Sequence, residues 1–213
     1  MRGSKWNNYR DARYYFITDR GLSKQGNVED VRAAIQGGVQ IVQYREKSLP
    51  IRDQIQEALR LRALCRENGV VFLVNDRVDV ALAVEADGVH LGQEDMPLPL
   101  ARRLLGEEKI IGITVGTIKE ALEAQRDGAD YLAVSPIFPT RTKEDAGQAV
   151  GLERIREIRS KADLPLVGIG GIGPRNARQV IEAGADCVCA ISAVVGQEDV
   201  QTAVEELLRV LEG

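Results

Sequence analysis

Short apolar, β-branched runs alternate with longer stretches of helical periodicity from one end of the chain to the other. The runs predict strands at 14–18, 41–44, 71–75, 88–91, 110–114, 131–134, 166–169 and 187–191. The intervening stretches predict helices near 28–36, 51–68, 77–84, 98–105, 118–127, 152–161, 174–183 and 199–211. In the second helix, Ile55, Ala58, Leu59, Leu61, Ala63 and Leu64 supply the expected apolar face. Gly184 falls where a helix C′ glycine is favoured, and Pro174 where a helix start tolerates proline.

A weak internal echo supports this count. Gly37-Gly38-Val39, Glu85-Ala86-Asp87-Gly88-Val89, Asp127-Gly128-Ala129-Asp130-Tyr131 and Ala183-Gly184-Ala185-Asp186-Cys187 each lie between a helix and the next strand. Eight strand–helix units in one continuous series predict an α/β protein, a single (β/α)8 TIM barrel. A doubly wound sheet is the alternative, but no Gly-x-Gly-x-x-Gly fingerprint follows the first strand. The barrel is assigned to 14–213. Residues 1–13 are set aside as a polar N-terminal extension, whose Met1-Arg2-Gly3-Ser4 opening reads as an expression remnant.

Composition narrows the function classes. The 213 residues suit one domain, and the net charge of −4 with 4% aromatic content argues against nucleic-acid binding. No apolar run reaches membrane-spanning length. Three cysteines make no disulfide framework, so a cytoplasmic setting is expected. Cys187 and Cys189 alternate on one strand and are expected as small buried hydrophobes on the same face. The oligomeric state stays open, a homo-oligomer included.

Charge is concentrated just after the predicted strands, at Gln43-Tyr44-Arg45-Glu46-Lys47, Asn75-Asp76-Arg77, Gln93-Glu94-Asp95 and Thr140-Arg141-Thr142-Lys143. Strand C-terminal ends share one face of a barrel, and that face holds the active site. Asp76 and Asp95 end adjacent strands, and two carboxylates with phosphate oxygens make a hard site suited to Mg²⁺. Either one alone would read as a helix cap or a solvated surface group, as do Asp79 in a first helical turn and Asp87 in an αβ turn. Gln43, Arg45 and Lys47 share one strand face and suit a diphosphate, as does Lys143. Arg77 and Arg141 read more simply as solvated. The run Gly168-Ile169-Gly170-Gly171-Ile172-Gly173 after the seventh strand and Ser192 after the eighth suit a backbone phosphate site. The single histidine, His90, reads as a packed strand residue. Nucleophilic catalysis by a Ser–His or Cys–His pair is therefore not expected.

Taken in order, several segments resemble the thiamine-phosphate synthase (thiamine-phosphate pyrophosphorylase) family. They are Ile17-Thr18-Asp19, Gln43 to Lys47, Asn75-Asp76-Arg77-Val78-Asp79, Ala86 to Asp95, Pro136 to Lys143, Gly170-Gly171-Ile172 and Ile191-Ser192. The resemblance runs from about Tyr14 to the C-terminal helix. It implies a barrel that joins a hydroxymethylpyrimidine diphosphate to a hydroxyethylthiazole phosphate, with thiamine phosphate and pyrophosphate as products. It implies Mg²⁺ on Asp76 and Asp95. Gln43, Arg45, Glu46, Lys47, Asn75, Thr114 and Lys143 would meet the pyrimidine diphosphate, with Arg45, Lys47, Thr114 and Lys143 as the catalytic set. Thr140, Arg141, Thr142, Gly170, Gly171, Ile191 and Ser192 would meet the thiazole phosphate. The partners are thus small phosphorylated substrates.

Two positions depart from the family pattern. Thr114-Val115-Gly116 stands where Ser-x-His is common, and Ser135 where glycine is usual. A thiazole tautomerase of the same barrel type is a competing reading, disfavoured by the full diphosphate set and the missing strand-five histidine. A non-catalytic precursor binder and a phosphosugar isomerase are the others. The first is separated by turnover, and the second would need a base.

Overall fold

The computed structural model describes residues 12–140, 142 and 147–212. Among these residues, eight parallel strands alternate with eight helices. In chain order they are β1 (Phe16–Ile17), α1 (Asn27–Gln36), β2 (Ile41–Tyr44), α2 (Ile51–Glu67), β3 (Val71–Asn75), α3 (Val78–Ala83), β4 (Gly88–Leu91) and α4 (Leu98–Leu105). The second half comprises β5 (Ile110–Val115), α5 (Ile118–Asp127), β6 (Tyr131–Val134), α6 (Gly151–Arg159), β7 (Leu166–Ile169), α7 (Ala177–Glu182), β8 (Cys187–Cys189) and α8 (Val200–Glu212). Each strand pairs with the next in sequence, and a parallel bridge between Tyr14 and Val188 joins the first strand region to the last. Two backbone hydrogen bonds hold this seam, from Tyr15 N–H to Val188 O and from Val188 N–H to Arg13 O, each 3.0 Å. The predicted (β/α)8 barrel is the observed fold.

Pleating divides the strand side chains into two cores. Val42, Phe72, Val74, Val89, Leu91, Ile111, Leu132, Val134 and Val188 point outward and meet the apolar stripes of the helices. Tyr15, Ile17, Ile41, Val71, Leu73, Ile110, Tyr131, Ala133, Val167, Cys187 and Cys189 fill the barrel interior. The two strand cysteines share the inner face and are fully buried, as their spacing required. No helix among the described residues is long and apolar enough to cross a membrane.

Two sequence expectations shift. The buried stripe of α2 is Gln54, Ala58, Leu61 and Cys65, whereas Leu59 is exposed. Steps of four, three and four residues define a single face, and Leu59 lies off it. Helix α7 begins at Ala177, not Pro174. Residues 174–176 form a turn in which the Asn176 carboxamide accepts from Gly173 N–H (2.9 Å) and donates to Gly171 O (3.0 Å). That local bonding competes with a helical turn.

The sequence echo has a physical basis. Asp87, Asp130 and Asp186 stand just before β4, β6 and β8. Each accepts, through Oδ2, the backbone N–H of Phe72, Ile111 or Leu166 in the preceding strand, at 2.8–2.9 Å. The backbone N–H of each Asp returns a bond to the carbonyl of that same strand residue. Each carboxylate is also paired with an arginine one helix back: Arg62 for Asp87, Arg102 for Asp130 and Arg159 for Asp186. The true repeat is therefore two β/α units, and it recurs three times. These clamps fix strand register at the end of the barrel opposite the active-site face.

Asp130 is the most enclosed of the three with its partner, each side chain 14% exposed. Asp130→Ala leaves a strand N–H and an arginine unmatched, so a stability loss of about 2 kcal/mol is expected in urea unfolding. Turnover per folded molecule should be unchanged, because the clamp sits at the far end. A loss under about 0.5 kcal/mol would show that the clamp does not hold register.

Candidate active site

The strand C-terminal ends open into a cavity of about 640 Å³. Its wall brings together Gln43, Arg45, Lys47, Asn75, Asp76, Asp95, Thr114, Thr140, Thr142, Gly170, Gly171, Ile191 and Ser192. These residues come from seven different strand ends, β2 to β8, so only the closed barrel assembles them. Arg141 and Lys143 lie outside the described residues. Ser135 and Gly116, the two departures from the family pattern, also line the cavity. A Cβ at Gly116 would meet nothing nearer than 3.8 Å, so the position has room for a side chain that this chain does not use. Thr117 and Glu120 cap α5 reciprocally, and Glu120 Oε2 also accepts Gly116 N–H (2.7 Å), which fixes that loop.

On the β2–β4 side the chemistry is ionic. Period-two alternation sends Gln43, Arg45 and Lys47 to the cavity. Thr18 brackets Arg45, its Oγ1 accepting from Arg45 N–H (2.9 Å) and donating to Arg45 O (3.2 Å). The guanidinium is paired with Asp19 at 3.2 Å. The same alternation turns Glu46 away. Its carboxylate is almost fully enclosed and accepts from Arg20, Ser48 Oγ, Ser48 N–H and Leu49 N–H. Burial alone would raise its pKa, but those donors hold it near about 2. Glu46 therefore stands outside the cavity wall and anchors the turn between β2 and α2. Arg77 is likewise occupied, forked onto Asp79 at 2.6 and 2.9 Å.

Asp76 has φ +60°, the left-handed region that non-glycine residues rarely adopt. Its N–H bonds to His90 O (2.8 Å), and Arg77 N–H turns back to Asn75 O (2.7 Å). This strained turn aims the carboxylate across the strand ends toward Asp95. Asp95 is fixed by Gly92 N–H, 2.6 Å from its Oδ2. Its pKa is raised, first by partial burial and then by the hydrogen bond and charge of Asp76, while Lys47 opposes the shift. Lys47 Nζ pairs with Asp76 Oδ2. Two mutually repelling carboxylates with a cation leaning on one of them form a donor set for a hard cation.

On the β6–β8 side the chemistry is backbone. Gly170 (φ +100°) and Gly171 (φ +64°) thread between the loops after β6 and β7. A Cβ on Gly170 would come within 2.7 Å of Pro136 Cβ, and one on Gly171 within 2.7 Å of Pro139 O. Phe138 N–H bonds to Gly170 O (3.0 Å), and Asn176 braces the loop from behind. Asn176 was not singled out in the sequence; its signal was a polar residue three positions after Gly173. The chain after β8 turns tightly at Ile191, whose carbonyl accepts from Val194 and Val195 N–H. Thr140, Thr142 and Ser192 add hydroxyls on this side.

The floor of the cavity is a line of buried polar side chains. Gln43 Nε2 donates to the Tyr15 hydroxyl, which lies 3.0 Å from the Tyr131 hydroxyl. His90 Nδ1 is 2.8 Å from Tyr131 Oη, and His90 Nε2 is 2.8 Å from Thr114 Oγ1. His90 is a packed strand residue, as its position suggested, and it also reaches the cavity wall.

The Asp76–Asp95 repulsion has a measurable sign. A carboxyl whose folded pKa is raised favours folding most at low pH and loses that contribution as pH rises through the folded pKa. In metal-free buffer at pH 7, Asp95→Asn should therefore melt above the parent chain. The gap should close as pH is lowered toward 4. An Asp95→Asn variant that melts lower at pH 7 would overturn the repulsive reading.

The comparisons with known proteins fit this arrangement. A family model described as thiamine monophosphate synthase matches residues 14–194. The thiamine-phosphate synthase of Chloroflexus aurantiacus is 53% identical over 198 residues, covering 92% of this chain and 91% of that protein. That of Moorella thermoacetica is 52% identical over 198 residues, covering 93% and 94%. The solved structure of thiamine phosphate pyrophosphorylase from Pyrococcus furiosus superposes with a TM-score of 0.89 at 47% identity, covering 96% of this chain and 98% of that one. With a match that spans nearly the whole barrel and relatives at about half identity, the chain belongs to the thiamine monophosphate synthase family.

Proposed function

We propose that this enzyme is a Mg²⁺-dependent thiamine-phosphate synthase of the cytoplasm. It condenses 4-amino-2-methyl-5-(diphosphooxymethyl)pyrimidine with 4-methyl-5-(2-phosphooxyethyl)thiazole. The products are thiamine phosphate and pyrophosphate. The observation that carries the reading is the two-sided cavity. Carboxylates and cations line the β2–β4 rim, and glycine backbone and hydroxyls line the β6–β8 rim. One side suits a diphosphate with its metal, the other a monophosphate held by neutral donors. The three cysteines are buried and free, in keeping with a reducing compartment.

The donor set fits Mg²⁺ better than zinc, being all carboxylate. No cluster of three or more His, Cys, Asp or Glu suited to a metal occurs among the described residues. Asp76 and Asp95 would then hold the ion beside substrate oxygens and water, as Mg²⁺ prefers. When bound, it would offset negative charge on the departing pyrophosphate. Arg45 and Lys47 offset the same charge by charge-assisted hydrogen bonds, and Lys143 joins them by family resemblance. The carbon–oxygen bond to pyrophosphate breaks with its electron pair on the leaving group. The aminopyrimidine stabilises the resulting methylene cation. The β6–β8 loops hold the thiazole phosphate so that the ring nitrogen donates its lone pair to that carbon. No proton is transferred, so no general base is needed.

The test is pyrophosphate release from the two substrates with Mg²⁺ and then with EDTA. Asp76→Ala and Asp95→Ala should each lower kcat by roughly 100-fold or more at fixed Mg²⁺, with folding intact. Normal turnover in either variant would remove the metal assignment. Lys143→Ala should raise KM for the pyrimidine diphosphate far more than for the thiazole phosphate. Equal effects on both substrates would count against the division of the cavity.

A further inference from the structure

Three consecutive residues after β1 each grip a different part of the β2 end. Thr18 is fully buried and extends the strand pairing, its N–H bonded to Gln43 O at 3.0 Å. Its hydroxyl then holds the backbone N–H and carbonyl of Arg45. Asp19 reaches the Arg45 side chain, with Oδ2 3.2 Å from Nη1. Arg20 reaches Glu46, and its Nη2 also bonds both Glu57 oxygens of α2, at 2.7 and 2.8 Å. None of the three lines the cavity, whereas Arg45 and Lys47 do. The loop after β1 therefore acts on the site through what it holds on β2.

The two oxygens of Asp19 have separate tasks. Oδ1 accepts the backbone N–H groups of Gly21 (3.1 Å) and Leu22 (3.2 Å), which closes a local turn on the carboxylate. The Asp19 carbonyl accepts from Leu22 and Ser23 N–H in the same turn. Oδ2 faces the guanidinium. The Arg45 and Asp19 side chains are only 21% and 11% exposed, so water screens this pair less than it would a surface pair. A long arginine side chain loses much rotamer freedom when it is ordered. A carboxylate fixed to its own loop does that ordering in advance, so substrate binding need not.

We infer that Asp19 is a positioning residue for Arg45: anchored through Oδ1 on the backbone of its loop, it holds the guanidinium through Oδ2 at the cavity wall, oriented to meet the diphosphate. What Arg45 meets rests on the function proposed above; the hold of Asp19 on the guanidinium does not.

Asp19→Asn separates the two tasks. It keeps an oxygen for the two backbone donors, so the turn is retained, but it aims an NH₂ group at Arg45 Nη1. Two donors then face each other and the guanidinium is released. In the full chain labelled with ¹⁵N-arginine, the Arg45 guanidinium should give separate, slowly exchanging Nη signals by NMR, assigned by their loss in Arg45→Lys. Asp19→Asn should merge them into one averaged signal. Averaged Arg45 signals in the parent protein, or signals that Asp19→Asn leaves unchanged, overturn the inference, whether or not the enzyme turns over.

The kinetic arm is a double-mutant cycle. Asp19→Asn should lower kcat/KM for the pyrimidine diphosphate about tenfold, the worth of one hydrogen bond between charged groups, and leave KM for the thiazole phosphate unchanged. In an Arg45→Ala background the same change should cost nothing further. Where Arg45→Ala turns over too slowly to measure, the cycle is read in pyrophosphate affinity by calorimetry. Equal effects on both substrates, or losses that add, overturn the positioning role. If Asp19→Asn does not fold, Asp19→Ser takes its place, since its hydroxyl still accepts from a turn N–H and is too short to hold Arg45. Failure of the parent enzyme to turn over would count against the proposed function and leave the NMR arm to decide this one.

Discussion

Closure of a parallel barrel in register is the constraint on which the rest depends. All eight strands must then leave the barrel at one end, so residues far apart in sequence meet there. Closure in turn needs each strand fixed at the other end, where a slip of one residue would invert inner and outer faces. The Asp87, Asp130 and Asp186 clamps act at that end. Each grips a strand N–H by the carboxylate while its own backbone N–H grips the carbonyl of the same residue. Stability and chemistry are thereby separated along the barrel axis. The clamped end tolerates no change of register, and the open end can carry loops of unrelated chemistry.

Along the same axis the interior changes character. Near the clamped end it is Ile41, Val71, Ile110, Val167 and Cys187, all buried and apolar. Toward the open end, Gln43, Tyr15, Tyr131, His90 and Thr114 form a satisfied polar layer. A buried polar group without a partner is costly, so such a layer is stable only when linked from end to end. Linked in this way it serves as a rigid floor beneath the ionic rim. Its two ends, the Gln43 carboxamide and the Thr114 hydroxyl, both line the cavity and are the groups of that layer that the family resemblance ties to substrate.

Periodicity and punctuation in the sequence carried the eight strand–helix units in order, with ends that fall within about three residues of the observed ones. They also carried the adjacency of Asp76 and Asp95, because neighbouring strand ends in a barrel must be neighbours in space. Parity explains the one residue on the β2 rim that went elsewhere. Gln43, Arg45 and Lys47 share a face, so Glu46 cannot, and its carboxylate found Arg20 and the Ser48 turn instead. The polar floor was not legible in the same way. It joins residues 28, 41, 24 and 116 positions apart in sequence, and only strand register brings them together. Gly112 carried no readable signal, because the reason for it is a ring on the next strand. The two-unit repeat of the clamps was visible as an echo, but its arginines sit one helix away from the aspartates they hold.

The rim itself is assembled against its own electrostatic preference. Asp76 sits in a backbone region that costs an ordinary residue on the order of 1–3 kcal/mol. It faces Asp95, whose carboxyl is driven upward in pKa partly by that neighbour. Lys47 relieves only one side of the pair. Such an arrangement persists because the strands on either side are held elsewhere, by Asp76 N–H on His90 O and by Gly92 N–H on Asp95. Added positive charge would stabilise this rim more than it would a relaxed one, since it removes a repulsion already present in the fold. The strain at Asp76 and the clamps at the far end are therefore parts of one design: rigidity at one end of the barrel sustains unfavourable, useful geometry at the other.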